Sequence, residues 1–152
     1  MQNIVNPQQT RLFDPFDNVL TEKTRKRLLD GWVGVFRHVI LELMPVGTVS
    51  GHFDPQMGRP TKELYSIAGL LLLMEFKNWA KEDALDAYSF HMDIHYALNL
   101  EPVSHDISMR TLERYIDLFE KDDLAKTIMA EITVRLVDLL EINIDKQRLD
   151  ST

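Results

Sequence analysis

The chain has 152 residues and no cysteine, which excludes disulfide staples, thiolate metal sites and cysteine nucleophiles. A formal net charge of −7 disfavours nucleic-acid binding by bulk electrostatics, so any phosphate contact must come from local basic patches. Hydrophobic residues at 45% and charged residues at 27% are ordinary for one globular domain with its own core.

Residues 1–20 carry Pro7 and Pro15 without periodicity and read as an extended arm, pinned by Phe13 and Phe16. The start, "MQNIVNPQQT", lacks the basic and then apolar pattern of a signal peptide. A helix is expected from Thr21, whose hydroxyl suits an N-cap. Leu28, Leu29, Trp32, Val33, Phe36, Val39, Ile40 and Leu43 then recur at helical spacing until Pro45 ends it. Its first turns hold the basic run Lys23, Arg25, Lys26 and Arg27.

The stretch 45–58, "PVGTVSGHFDPQMG", reads as a glycine-rich loop. The next helix is expected to open at "RPTKEL", with Pro60 near its first turn. It continues through "YSIAGLLLLMEFKNW", apolar almost all round, which predicts burial on several faces. Its apolar run "IAGLLLLM" at 67–74 is far too short to span a membrane, so a cytoplasmic protein without membrane contact is expected.

"AKEDALDAYSFHMDIHYALNL" predicts one or two short helices, and 101–107 a loop. Ser108 is placed to cap a helix, "MRTLERYIDLFEKD", with Leu112, Tyr115, Ile116 and Phe119 as its buried stripe. Asp122 and Asp123 restart a long helix bearing Leu124, Ile128, Ile132, Leu136, Leu139 and Leu140 on one side. After Asn143 the pattern changes to a candidate strand. The expected fold is mainly α, a multi-helix bundle with a helix-turn-helix-like element and a single candidate strand at the C-terminus.

Several constellations invite a chemical reading. His91 and His95 stand one helical turn apart, a spacing able to bind zinc. Met92 occupies the place of the metalloprotease glutamate, so two structural histidines are the better reading. His105, Asp106 and Ser108 are loop neighbours without a strand–turn–helix elbow, and capping by Ser108 explains them more simply. Glu82, Asp83 and Asp86 suit the first turn of a helix through its dipole.

The segment 108–115, "SMRTLERY", is more informative. Ser108, Arg110, Thr111 and Arg114 would offer two guanidiniums and two hydroxyls from one exposed face. That is the chemistry of a helix reading the major groove and its phosphates. The competing reading is an ordinary amphipathic helix in which Arg114 pairs with Asp117 or Glu113.

Residues 58 to about 121 resemble the N-terminal domain of bacterial insertion-sequence transposases of the DDE type. The pieces are Gly58-Arg59-Pro60, the apolar helix 67–76, the acidic helix 81–89, the segment 93–100 and the Ser-initiated helix 108–119. The resemblance implies an arm over 1–20, a helical transposase domain over 21–143, and over 144–152 the first strand of an RNase H-like catalytic domain. In "QRLDST", Asp150 would be the first of three carboxylates holding two divalent metals, magnesium by preference, in a full-length parent.

The other carboxylates of that set are not in this sequence, so this chain by itself is expected to be inactive and to need no cofactor. The partner implied is double-stranded DNA at the element's terminal inverted repeats. Arg110, Thr111, Arg114 and Ser108 would contact it, with Arg59, Lys62, Lys23, Arg25, Lys26 and Arg27 as phosphate anchors. A homo-oligomer or a full-length transposase is the expected protein partner. The rival reading is a protein–protein (dimerisation) module that modulates a full-length transposase.

Overall fold

The computed structural model describes residues 1–7, 12–58 and 61–140, with the backbone alone at Asp122. Among them the fold is mainly helical and contains no strand or sheet. The candidate strand over 144–152, and with it Asp150, lies outside the described residues, as do Arg59 and Pro60.

The eight α-helices among the described residues are α1 (Glu22–Asp30), α2 (Trp32–Val35), α3 (Val46–Ser50), α4 (Leu64–Lys77), α5 (Lys81–Phe90), α6 (Met92–Ala97), α7 (Met109–Glu120) and α8 (Leu124–Leu140). Helix α4 is the centre, as its unbroken apolar run predicts. Leu64, Ile67, Ala68, Leu70, Leu72 and Leu73 are all buried. At Gly69 a Cβ would stand 2.7 Å from Leu98 Cδ2, so α4 approaches the end of α6 as closely as a glycine allows.

Helix α4 starts at Leu64, later than the Pro60 signal suggests. Residues before it are held extended by the N-terminal arm: Thr61 N–H donates to the Met1 carbonyl, and Leu64 N–H to that of Asn3. The Glu63 carboxylate then caps the helix by accepting from Tyr65 N–H at 3.0 Å and Ser66 N–H at 2.7 Å. Asn78 ends it in the left-handed conformation, at φ 51°.

The single helix expected over 21–44 is broken. Gly31 adopts extended backbone between α1 and α2. A Cβ on Gly34 would lie 2.0 Å from the Leu29 carbonyl, so the two short helices are packed backbone on backbone. A π-helical turn, Phe36–Leu41, follows α2. This break rotates the apolar stripe, leaving Leu29 and Trp32 exposed while Val33, Phe36 and Leu41 join the core.

The arm is pinned by one phenylalanine and not two. Phe16 is fully buried with its ring edge-on to Tyr96, centroids 5.1 Å apart, whereas Phe13 is 81% exposed. The expected loop 45–58 contains α3, because buried Val49 anchors a turn against α4 and α8. In α8, Leu124, Ile128 and Ile132 are buried, while Val134, Leu139 and Leu140 are exposed. The buried stripe therefore stops about halfway along that helix.

Candidate nucleic-acid interface

Helix α7 begins where Ser108 captures the Thr111 N–H at 3.1 Å, as the sequence predicts for a hydroxyl N-cap. The Ser108 hydroxyl also donates to Thr111 Oγ1 at 2.9 Å. Ser108 is therefore occupied by the cap, and of the two hydroxyls only that of Thr111 keeps a proton for an outside acceptor. Leu112, Tyr115 and Phe119 bury one side of α7, with Ile116 half-buried beside them. Arg110, Arg114 and Asp117 are left facing solvent.

This exposed side lines a cleft of about 1080 Å³. Lys62, Ser108, Arg110, Thr111 and Arg114 all border it, so five of the residues singled out in the sequence meet in one place. Thr61 and Phe53 line it as well, the Phe53 ring 6.1 Å from that of Tyr115. Lys62 reaches the cleft because its backbone N–H donates to the Tyr115 hydroxyl at 3.0 Å, and its ammonium donates to the Asp106 carbonyl. A smaller cavity of about 410 Å³ adjoins the cleft, sharing Thr61, Lys62 and Asp106 with it.

Acids border the cleft as well: Asp106, Glu113 and Asp117. The pairing of Arg114 with Asp117 or Glu113 is not formed. Glu113 instead pairs with Lys81 of α5 at 3.3 Å, and the Arg114 guanidinium lies 6.0 Å from the Tyr115 ring. Among the described residues neither Arg110 nor Arg114 makes an ion pair. Two unpaired guanidiniums on one exposed helical face retain full capacity for an anionic partner.

The basic run of α1 is not brought to this place. Lys23, Lys26 and Arg27 are exposed on α1, and none of the four lines the cleft. Arg25 is tied in an ion pair to Asp17. The helix-turn-helix-like element also differs in detail. Residues 98–108 connect α6 to α7, longer than the turn of about three or four residues in that motif, and α7 is supported by packing on α5.

Of the histidine pair read from the sequence as structural, only His95 is part of the core. His95 is buried, its Nε2–H donating to the Tyr88 carbonyl at 2.8 Å, while its Nδ1 has no partner. His91 is exposed, so only one of that pair enters the core. Among the described residues no group of three or more His, Cys, Asp or Glu could hold a metal ion. Nor is any helix there long and apolar enough to cross a membrane.

Two contacts of cleft-lining residues escape sequence reading: the pairing of Glu113 with Lys81, which lies outside the lining, and the Tyr115 hydroxyl as acceptor for Lys62. Residues 32 and 53 positions apart make these contacts, and local periodicity carries no information about such pairings. No protein-family model, curated protein or solved structure matches the chain.

Proposed function

We propose that this chain is the DNA-binding and assembly region of an insertion-sequence transposase, recognising double-stranded DNA at terminal inverted repeats in the cytoplasm. The observation that carries the reading is the convergence of Lys62, Arg110, Thr111 and Arg114 on one cleft, with neither guanidinium in an ion pair among the described residues. Arginines in successive turns of an exposed helix suit base edges and phosphates, and the lysine adds a point charge at the border. Recognition requires no metal. The magnesium chemistry of a full-length transposase would rest on Asp150 and partner carboxylates, and no such donor set stands among the described residues.

Fluorescence anisotropy with labelled duplexes tests the reading. Wild-type chain should bind an inverted-repeat end with affinity that falls steeply with salt. Arg110→Ala with Arg114→Ala should weaken it tenfold or more, at about 1–3 kcal/mol for each lost bidentate contact. Undiminished binding by the double variant removes those arginines from the site.

A second reading is supported by α8, whose outer half leaves Val134, Leu139 and Leu140 exposed. In that reading the chain is a dimerisation module that forms mixed assemblies with a full-length transposase. Light scattering separates the two: a dimer with no salt-dependent DNA affinity supports the second reading and overturns the first.

A further inference from the structure

The Lys81–Glu113 pair has a position that an ordinary surface ion pair does not. At 3.6 residues per turn, successive side chains are about 100° apart around α7. Arg110 and Arg114 then define an exposed stripe, with Glu113 roughly 80° to one side of its centre and Thr111 roughly 80° to the other. Tyr115 lies further round on the Thr111 side, and its hydroxyl holds the backbone of Lys62. Lys81 reaches α7 from the opposite flank, through Glu113 at 3.3 Å. The arginine stripe is thus bracketed by a lysine on each side, one from the segment leading into α4 and one from the first residue of α5.

A helix inserted in a major groove about 12 Å wide has a phosphate backbone along each wall. We infer that Lys81 is a phosphate contact for the second DNA strand, held by Glu113 until DNA arrives, while Lys62 serves the first. This rests on the DNA-binding reading proposed above.

The exchange is chemically easy. Both side chains of the pair are about half exposed, 48% and 47%, and such pairs contribute little to stability. A phosphate is therefore able to take the ammonium at small cost. A chain with a net charge of −7 has no general positive field and depends on every local cation it can turn to the DNA. Glu113 gives the site a restraint as well, since its carboxylate repels phosphate wherever Lys81 is not present to neutralise it.

The test separates phosphate contact from mere neutralisation of Glu113. Salt dependence of binding to a short fluorescein-labelled duplex of mixed sequence is measured for wild type, Glu113→Gln, Lys81→Gln and the double variant. Each lost phosphate contact removes about 0.9 from the slope of log K against log salt, whatever the sequence of the duplex. The expected result is that Glu113→Gln binds at least as well as wild type with the same slope. The double variant should lose about 0.9 in slope relative to Glu113→Gln. If the double variant matches Glu113→Gln in slope and affinity, Lys81 only neutralises Glu113 and the inference is overturned, with DNA binding itself intact. If wild-type chain shows no salt-dependent binding, both the inference and the function it rests on are overturned.

Discussion

The imidazole of His95 stands edge-on to that of His105, with ring centroids 4.8 Å apart, and turns an unpartnered Nδ1 into the protein interior. Because Nε2 keeps its proton to donate to the Tyr88 carbonyl, Nδ1 carries only its lone pair in the neutral folded ring. A second proton there would meet no acceptor. Burial therefore holds His95 below its ordinary value of 6.5, with the neighbouring His105 and His91 adding to the effect and the Tyr88 carbonyl and Asp93 opposing it.

The sign of the pH effect follows. With the folded value lowered, the unfolded chain binds more protons below pH 6.5, so this contribution to stability is complete above that pH and is lost as acid is added. His95→Gln keeps an amide N–H for the Tyr88 carbonyl and has no group to protonate. Thermal unfolding between neutral pH and pH 5 should show a shallower acid loss in the variant. Equal slopes for wild type and variant would mean that His95 is not the group responsible.

Glu63 acts in the opposite sense. Burial raises its carboxyl above 4.5, although the N–H groups of Val5, Tyr65 and Ser66 pull the other way. The stability it contributes is present below its unfolded value and is lost as pH rises through the raised folded value. Glu63→Ala should cost about 1–2 kcal/mol in urea unfolding, as expected for a lost N-cap. It should also speed amide exchange at Val5, whose N–H donates to Glu63 Oε1 at 3.0 Å. An unchanged exchange rate at Val5 would show that the arm is held without this bond.

The two phenylalanines of the arm make a paired test. Phe16→Ala empties a fully buried site against Tyr96 and should cost about 3–5 kcal/mol. Phe13→Ala removes a ring already 81% exposed and should fall within about 0.5 kcal/mol of wild type. Chemical denaturation of both variants measures the difference directly. Similar losses for the two would contradict the burial assigned to either residue.

Much of the helical framework can be read from residue order, because α7 and the inner half of α8 carry a helical period, α4 an apolar run and α7 a hydroxyl cap, although the arm delays the start of α4 to Leu64. What cannot be read is where the stripes stop. Leu29 and Trp32 fit the same helical period as Phe36, and only the glycine-mediated crossing of α1 on α2 turns them outward. The site divides in the same way. Arg110, Thr111 and Arg114 are visible as a face of one helix. Lys62 joins them through the Tyr115 hydroxyl, a contact between residues 53 positions apart that no local pattern announces. The α1 basic run, equally prominent in the sequence, is directed elsewhere.

The two interior glycines should respond differently to a methyl group. At Gly34 the obstacle is the Leu29 backbone, 2.0 Å from the ideal Cβ, and backbone has no rotamer with which to yield. Gly34→Ala should therefore cost about 3 kcal/mol, the upper end of ordinary overpacking. At Gly69 the nearest atoms are Leu98 Cδ2 at 2.7 Å and Leu41 Cδ1 at 3.1 Å, both ends of flexible side chains. There the overpacking is offset by the gain of about 1 kcal/mol in helix propensity, so Gly69→Ala should lose much less. Denaturant midpoints for the two variants decide the order, and a reversal would place the tighter crossing at α4.

Stability and recognition should separate along α7 itself. Arg110 and Arg114 are exposed and make no ion pair among the described residues, so replacing both by alanine should shift folding by no more than about 0.5 kcal/mol each. Any loss of DNA affinity in that variant then belongs to the interface and not to the fold. Ser108→Ala does the reverse: it removes the bond to the Thr111 N–H and should cost about 1 kcal/mol through the lost cap. Its effect on DNA binding should be smaller than that of the arginines, because the Ser108 hydroxyl is already spent on Thr111. Circular dichroism melts and anisotropy titrations on the same preparations test both halves. If Ser108→Ala instead weakens binding as much as the arginine pair while the melt is unchanged, Ser108 is a direct contact, and its bond to Thr111 must open when DNA docks.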